Sequence, residues 1–383
     1  MKPKVPSRVL EIEPYEPGRP VEDVERELGI AGSIKLASNE NPLGPSPAAL
    51  SVLREAAAKA PSDIHRYPDG NGTVLRNALA AFAGVETEQV VIGNGSNEVI
   101  ELLLRTFVSE GDEVLMSEEA FLIYRLASLA SGARPVTAPS SNYRHDLRAI
   151  ADRIGPATRM VFLANPNNPT GTIYTTPEWE SFLSRVPGDV LVAVDEAYFE
   201  YADAADYPRA LGYLGSHPGL VVMRTFSKAY GLAGLRVGYG VGSAELVGAM
   251  QRVRQPFNVG SLAQAAAVAA LGDNEHIAAS QRVAGQARRA YEDAFAGLGL
   301  DFVPSQANFV LVEVGDGKAV SSEMMRRGVI IRSMEAYGMP SKVRISFGTE
   351  LENDRCIEAL GAVLGQRAGK VRAGQTGPRH AAS

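Results

Sequence analysis

The stretch RTFSKAYGLAGLRVGYG, residues 224–240, directly follows an apolar run, LVVM, that is typical of a buried strand. Lysine is rarely fully buried in proteins, yet Lys228 stands just beyond this strand, among small residues. A lysine in an environment of low dielectric constant loses its proton readily and becomes a nucleophile that forms Schiff bases. A lysine that merely extends to the surface would explain Lys228, but not Thr225, Ser227 and Arg236 near it.

Around this stretch, apolar strand-like runs alternate with helical segments between residues 85 and 240. The predicted strands are 89–92, 113–116, 133–137, 159–163, 190–194, 220–223 and 236–241. Such alternation predicts an α/β domain, with helices around a mostly parallel, mixed sheet. A long charged helix at 276–298 follows. The predicted strands after it, at 309–314, 329–331 and 343–347, interleave with helices at 318–327 and 350–365 and indicate a smaller α+β domain.

These patterns divide the chain into four parts. We expect residues 1–35 to form an N-terminal arm that joins the small domain and makes dimer and substrate contacts. Residues 36–270 form the large domain, and residues 271–368 form the small C-terminal domain. The polar tail, 369–383, has little apolar surface to bury and is predicted to be disordered.

Composition argues against several classes of partner. The net charge of −6 and the pI near 5.6 favour neither nucleic acid nor an anionic membrane surface. No apolar run approaches the roughly 18 residues of a membrane span, and the N-terminus lacks the apolar core of a signal peptide. The one cysteine, Cys356, excludes an internal disulfide and fits a reducing compartment. A cytoplasmic protein is therefore expected, and no metal site is predicted.

Three further strand ends carry polar residues. In GNGSNE, residues 93–98, a glycine-rich turn leads into a helix whose backbone N–H groups suit a phosphate. A plain tight turn, with Ser96 or Asn97 as the N-cap, is the alternative. In ANPNNPTG, residues 164–171, two asparagines between prolines make either a rigid polar turn or a turn without function.

The third of these strand ends is DEAY, in which Asp195 closes an apolar strand and Tyr198 follows. Burying a carboxylate is costly unless it meets a cation, although Asp195 could also be a helix N-cap. Together, a Schiff-base lysine, a buried aspartate and a phosphate cup are what pyridoxal phosphate needs. The aspartate keeps the pyridine nitrogen protonated, so that the ring acts as an electron sink. Hydroxyls, an arginine and a helix N-terminus hold the phosphate.

The order of GNGSNE, NPNNPTG, DEAY and SKAYGLAGLRVGY resembles that of the fold-type-I pyridoxal-phosphate aminotransferases, over nearly the whole chain except the tail. The additional stretches PYEPG, LASNENPLGPSP and HRYPDG are most similar to the histidinol-phosphate aminotransferase family. The resemblance implies a large domain that binds pyridoxal 5'-phosphate.

The resemblance also implies residue roles. Lys228 would form the Schiff base and move the proton, and Asp195 would pair with the pyridinium nitrogen. Tyr198 and Asn168 would bind the phenolic oxygen, and Phe121 would stack on the ring. The implied phosphate-binding residues are Gly95, Ser96, Asn97, Thr225, Ser227, Arg236 and, from the partner subunit of a homodimer, Tyr67. The implied substrate contacts are Arg344, Arg332, Tyr15 and Asn41.

The implied reaction is ping-pong transamination in L-histidine biosynthesis. Histidinol phosphate and 2-oxoglutarate would be interconverted with imidazole-acetol phosphate and L-glutamate. Two alternatives share most of the cofactor residues, namely an aromatic amino-acid aminotransferase and a threonine-phosphate decarboxylase. A cofactor-binding regulator or an inactive relative is a third alternative. The acidic chain lacks the basic patch expected of such a regulator, and its catalytic set is complete.

Overall fold

The computed structural model describes residues 4–58 and 65–375, with side chains described as far as residue 365. The helices are α1 Ser7–Leu10, α2 Val21–Leu28, α3 Pro47–Ala58, α4 Thr73–Ala83, α5 Ser96–Phe107, α6 Leu122–Ser131, α7 Leu147–Asp152, α8 Thr176–Leu183, α9 Ala244–Gln251, α10 Ser261–Leu271, α11 Asn274–Leu298, α12 Gly317–Arg326 and α13 Glu350–Gln375. The strands are β1 Ile34–Lys35, β2 Val90–Asn94, β3 Glu113–Ser117, β4 Arg134–Ala138, β5 Ser140–Ser141, β6 Arg144–His145, β7 Thr158–Ala164, β8 Leu191–Asp195, β9 Leu220–Thr225, β10 Val237–Val241, β11 Phe302–Val303, β12 Phe309–Glu313, β13 Val329–Ile330, β14 Arg332–Ser333 and β15 Lys342–Ser346.

A seven-stranded sheet, in the order β2-β10-β9-β8-β7-β3-β4, forms the centre of the first compact unit. This unit comprises residues 4–15, 40–284 and 305–308, apart from the undescribed stretch 59–64. Strand β10 is antiparallel to both of its neighbours, and the other adjacent pairs are parallel. Strands β2, β3, β7, β8 and β9 therefore run in the same direction, and their carboxyl ends lie at one edge.

Helices cover both faces of this sheet, which explains why its central strands read as continuous apolar runs. Every residue of β8, β9 and β10 is buried. Helices α5, α6 and α9 pack in one apolar cluster, α3, α4 and α10 in a second, and α7 and α8 in a third. The predicted α/β architecture with a mostly parallel, mixed sheet is confirmed.

The second compact unit comprises residues 16–39, 285–304 and 309–375. It contains the four-stranded antiparallel sheet β11-β12-β15-β14 and the parallel pair β1-β13. Helices α12 and α13 accompany these strands, so this unit has the α+β composition that the sequence predicts. The division of the chain into arm, cofactor domain and small domain as functional parts stays a prediction.

The C-terminal helix differs from its predicted extent. Helix α13 continues to Gln375, whereas the sequence predicts an end at residue 365 and a disordered tail from residue 369. Residues 369–375 are thus helical rather than irregular. The rest of the predicted tail, 376–383, lies outside the described residues. Within the described part of the chain, no helix is both long and apolar enough to cross a membrane.

Candidate active site

The turn after β9 carries Lys228, which is half-buried beside the ring of Tyr198. The distance from the Lys228 Nζ atom to the centre of that ring is 5.6 Å. The turn closes with a hydrogen bond from the Gly231 N–H group to the Lys228 carbonyl, at 2.9 Å. Gly231 has a φ of 69°, and a Cβ atom there would overlap the backbone of Gly44. The glycine after the lysine is therefore required by a close backbone approach.

Asp195, at the end of β8, is buried, with only 5% of its surface exposed. The Tyr124 hydroxyl donates a hydrogen bond to its Oδ2 atom at 2.8 Å, and the Ala197 N–H group donates to Oδ1 at 3.1 Å. Burial raises the pKa of the Asp195 carboxyl to about 6, against the opposing effects of these two bonds and of the charge on Lys228. Among the described residues, no side-chain cation lies within 4 Å of this carboxyl.

The next residue, Glu196, has the opposite arrangement. Its carboxylate accepts a hydrogen bond from the Arg224 Nε atom at 2.9 Å and lies 2.7 Å from the Arg224 Nη2 atom in an ion pair, and both side chains are buried. The Arg224 guanidinium also lies 3.6 Å from the centre of the Phe199 ring. Glu196 is therefore neutralised by a partner within the chain, whereas Asp195 is not.

A cluster of donors lies at the ends of β2 and β9. The Thr225 hydroxyl donates to the Ser227 Oγ atom at 3.0 Å, and the Arg236 Nη1 atom donates to the same oxygen at 3.2 Å. Helix α5 begins just after Gly95, and no described side chain caps its N-terminus. A Cβ atom at Gly95 would overlap the Arg236 guanidinium, and one at Gly238 would overlap the Ser96 nitrogen. These glycines bring the donors together.

Arg236 has no carboxylate within 4 Å in the described part of the chain. Its charge and the exposed N-terminus of α5 would attract an anion. The buried Asp195 would attract a cationic, hydrogen-bonding group. Because both belong to the same sheet edge as Lys228, the first unit suits a ligand that is anionic at one end and cationic at the other.

Phe121 and Asn168 stand at other strand ends of this edge. The Phe121 ring meets that of Tyr124 edge-to-face, at 5.6 Å between ring centres. Asn168 is half-buried and precedes a cis peptide bond to Pro169. Tyr124 was not predicted from the sequence, although it lies only three residues after Phe121, whose ring it contacts.

Three further predicted residues are Tyr67, Tyr15 and Asn41, of which Asn41 contacts the turn that carries Lys228. Tyr67 is 82% exposed, and its ring stacks on that of Phe257 at 4.7 Å. Tyr15 is exposed as well. Asn41 is buried, and its side-chain nitrogen donates to the Ala229 carbonyl at 2.8 Å. None of these placements tests the predicted roles, which stay predictions.

The two predicted substrate arginines belong to the second unit, where Arg332 on β14 lies directly opposite Arg344 on β15. The Nη2 atom of Arg344 donates to the Ala37 carbonyl at 2.7 Å, and that of Arg332 to the Glu16 carbonyl at 2.7 Å. Directly opposed residues of antiparallel strands share one face, and like charges in such a pair are unfavourable. The role of the two arginines as substrate contacts stays a prediction.

The first unit combines a buried aspartate, a cluster of donors that suits an anion, and a half-buried lysine at the carboxyl edge of a mostly parallel sheet. This combination is typical of a cofactor-dependent transferase. The chain belongs to the class I and II aminotransferases, the family that matches residues 31–360.

The relatives carry a more specific name. The chain is 50% identical over 366 residues to the histidinol-phosphate aminotransferase of Anaeromyxobacter sp., covering 95% of this chain and 100% of the relative. It is 45% identical over 364 residues to that of Moorella thermoacetica, covering 94% and 93% of the two chains. The crystal structure of histidinol-phosphate aminotransferase from Sinorhizobium meliloti in complex with pyridoxal-5'-phosphate aligns with a TM-score of 0.85 and 29% identity, over 94% of this chain and 97% of that one.

Proposed function

We propose that the chain is a pyridoxal-phosphate-dependent aminotransferase of L-histidine biosynthesis. It interconverts histidinol phosphate and 2-oxoglutarate with imidazole-acetol phosphate and L-glutamate. The observation that carries this proposal is the division of charge around Lys228, where, among the described residues, Asp195 has no side-chain cation within 4 Å and Arg236 no carboxylate within 4 Å. Near-full-length relatives at 45–50% identity support the choice of substrate.

The residues fit the cofactor that members of this family use. Thr225, Ser227, Arg236 and the N-terminus of α5 would hold its phosphate, since they form a donor cup that a Cβ atom at Gly95 would fill. Asp195 would face the ring nitrogen. When bound, pyridoxal phosphate supplies an electron sink that stabilises negative charge on the substrate's reacting carbon.

The side chains around the ring would then divide the remaining work. Lys228 would attach the cofactor covalently and, once released, carry the proton from the substrate's reacting carbon at its Nζ atom. Tyr198 and Asn168 would donate hydrogen bonds to the phenolic oxygen, and Phe121 would pack against the ring. Tyr124 would keep the Asp195 carboxylate oriented through its 2.8 Å hydrogen bond.

Substrate recognition requires a site that accepts both a phosphate and a carboxylate. Histidinol phosphate has no α-carboxylate, and its phosphate takes the position that the carboxylate of glutamate occupies. Guanidinium groups bind either anion in a two-pronged geometry, so we assign this role to Arg344 and Arg332. Their directly opposed positions on β15 and β14 support the assignment. Tyr15 and Asn41 are further proposed contacts.

A homodimer completes the proposal. Tyr67, with its 82% exposed side chain, would reach the cofactor phosphate of the partner subunit. Phe257, the ring on which it stacks, is 44% exposed, so the two rings form an exposed aromatic patch of the kind that a subunit interface covers. A cytoplasmic location stays a prediction from the sequence.

A single half-reaction tests the substrate. Purified, cofactor-loaded protein is mixed separately with histidinol phosphate, L-glutamate and L-phenylalanine, and the cofactor absorbance is followed in a stopped-flow instrument. We expect fast conversion by the first two compounds and much slower conversion by phenylalanine. Fast conversion by phenylalanine, with histidinol phosphate inert, would instead indicate an aromatic amino-acid aminotransferase. Release of carbon dioxide from threonine phosphate would indicate a decarboxylase.

A further inference from the structure

The turn that carries Lys228 is held by residues that, apart from Asn41, have no role in the proposed reaction. We define the lysine turn as residues 228–231. One holding element is the loop 41–46, and the other is the first part of α11, which contributes His276 and Ser280. All of these residues belong to the first unit.

The Ala229 carbonyl, one residue after the lysine, is the main point of attachment. The Asn41 Nδ2 atom donates to it at 2.8 Å, and the Ser280 Oγ atom lies 3.2 Å from the same oxygen. The Asn41 Nδ2 atom also donates to the Ser280 Oγ atom at 2.8 Å. All three side chains, those of Asn41, His276 and Ser280, are buried.

The hydrogens available on Asn41 and Ser280 determine which of the two side chains donates to the other. An amide nitrogen has two hydrogens, and the two nearest acceptors of Asn41 are the Ala229 carbonyl and the Ser280 oxygen. The single hydroxyl hydrogen of Ser280 is closest to the His276 carbonyl, at 2.8 Å. Ser280 is therefore mainly an acceptor, which holds one amide hydrogen so that the other points at Ala229.

His276 adds to this arrangement. Its Nε2 atom lies 3.4 Å from the Asn41 nitrogen, whose two hydrogens already have nearer acceptors. Burial lowers the pKa of the imidazole, and the Asp273 charge and a hydrogen bond to the Ala229 carbonyl act in the opposite direction. The imidazole therefore lies beside the Asn41 amide without taking either of its hydrogens, while the His276 carbonyl holds the Ser280 hydroxyl.

The loop is attached to the turn and to α11 at other points. The Ser46 N–H group donates to the Tyr230 carbonyl at 3.2 Å. The Ser46 hydroxyl donates to the Asp273 Oδ2 atom at 2.6 Å, and the His276 N–H group donates to Oδ1 at 3.1 Å. Asp273 thus joins the loop to the start of α11, so the lysine turn is held between two connected elements.

We propose that Ser280 and His276 are positioning residues, which direct the Asn41 amide and the Ala229 carbonyl and thereby set the direction in which the Lys228 side chain leaves the turn. This inference rests on the proposed role of Lys228. It assigns a function to two side chains of α11 that lie 48 and more residues from the lysine along the chain. Neither residue touches the reacting atoms in this proposal.

Ser280→Ala tests the inference because it removes the acceptor that orients Asn41. The first readout is the rate at which the full-length, cofactor-stripped protein attaches pyridoxal phosphate at Lys228, measured by mass spectrometry after borohydride reduction. The loss of one net hydrogen bond predicts a rate about 2- to 10-fold slower. The second readout is the pH midpoint of the absorbance of the cofactor-loaded protein, which we expect to move. Ser280→Thr, which keeps the hydroxyl, should restore both.

Ser128→Ala is the matched control. Ser128 is also buried within a helix, and its hydroxyl donates to the carbonyl four residues earlier, that of Tyr124, at 2.6 Å. It has no hydrogen bond to the lysine turn, so attachment rate and pH midpoint should stay at the wild-type values. Equal attachment rates and midpoints in Ser280→Ala and the control would overturn the positioning role. Wild-type protein that attaches the cofactor at another lysine would overturn the proposed function itself, and the positioning role with it.

Discussion

The carboxyl edge of the seven-stranded sheet carries two sets of one arginine and one carboxyl group each. In the joined set, Glu196 and Arg224 contact each other; in the separated set, Asp195 and Arg236 do not. Glu196 and Arg224 form an ion pair with one hydrogen bond of 2.9 Å and a second N–O contact of 2.7 Å, and their exposed side-chain fractions are 1% and 8%. Asp195 and Arg236 have no such partners among the described residues. Adjacent residues of one chain, Asp195 and Glu196, therefore have opposite electrostatic situations.

The difference distinguishes a structural pair from a binding pair. A buried ion pair that satisfies itself needs no ligand, and breaking it leaves a buried charge. Asp195 and Arg236 instead each lack an ion-pair partner within 4 Å among the described residues, and pyridoxal phosphate would supply one through its ring nitrogen and its phosphate. We therefore expect changes in the joined set to act on folding stability and changes in the separated set to act on cofactor chemistry.

The largest effect is expected from removing the amine of Lys228, which belongs to the same sheet edge as Asp195 and Arg236. Lys228→Ala would remove both the proposed covalent attachment of the cofactor and the proposed proton-transfer group. Transamination should fall by at least about 10⁴-fold, as for the loss of a nucleophile that is also a general base. Half-reaction rates and the mass of the borohydride-reduced protein measure this. Retained turnover together with retained covalent cofactor would refute the central assignment.

Glu196→Gln tests the joined set. It leaves the Arg224 guanidinium buried without its carboxylate, which typically costs about 3–5 kcal/mol of folding stability. Chemical denaturation measures the loss. The control is Glu335→Gln, which breaks an exposed pair with Lys318 and should cost less than about 1 kcal/mol. Equal losses in both variants would show that the buried pair has no special structural role.

Asp195→Asn should have the opposite profile. The amide cannot stabilise a protonated ring nitrogen, so the half-reaction with glutamate should slow by about 10²–10³-fold. The cofactor-free protein should be at least as stable as the wild type at pH 7, because a buried carboxylate without a cationic partner has been replaced by a neutral group. A destabilisation as large as that of Glu196→Gln would contradict the distinction between the two sets.

The buried Asp195 carboxyl also predicts how folding stability depends on pH. The pKa of Asp195 is raised to about 6 from an ordinary value of 3.8, so between these values the folded chain holds a proton that the unfolded chain has released. This stabilising contribution is complete below pH 3.8 and is lost as the pH rises through 6, about 3 kcal/mol in total. Unfolding of cofactor-free wild type and Asp195→Asn should therefore diverge by up to this amount between pH 4 and 7. Parallel curves would show that Asp195 is not buried as a carboxyl group.

Much of this site was predictable because its residues follow apolar strands in the sequence. Lys228, Asp195 and Asn168 each come directly after a run whose burial the sequence makes plain, and parallel strands bring such ends to one edge. The order of the strands within the sheet was harder to predict from the sequence. Strand β10 lies antiparallel between β2 and β9, and such pairing depends on packing between distant segments.

The contacts around the lysine turn show a second limit. Asn41 was predicted as a substrate contact from its motif, but its bonds to Ala229 and Ser280 join segments 188 and 239 residues apart. Serines and histidines on a helix such as α11 carry no sequence signal that separates a solvated side chain from a buried hydrogen-bond partner. Tyr124 had a weak signal, its spacing from Phe121, but its partner Asp195 lies 71 residues away.

The smallest effect is expected at the anion end of the separated set. Arg236→Lys keeps the positive charge but loses the planar guanidinium that reaches both Ser227 and the start of α5. Affinity for pyridoxal phosphate should fall by about tenfold, since one charge-assisted hydrogen bond is lost while the Coulombic attraction remains. Titration of the cofactor-stripped protein, followed by fluorescence, measures this.

Arg105→Lys, near the opposite end of α5, is the control. It should leave the affinity unchanged, because a cation at that end lies a full helix length from the donors proposed to hold the phosphate. Equal affinities in Arg236→Lys and wild type would mean that charge alone holds the phosphate, and that the geometry of the guanidinium does not contribute.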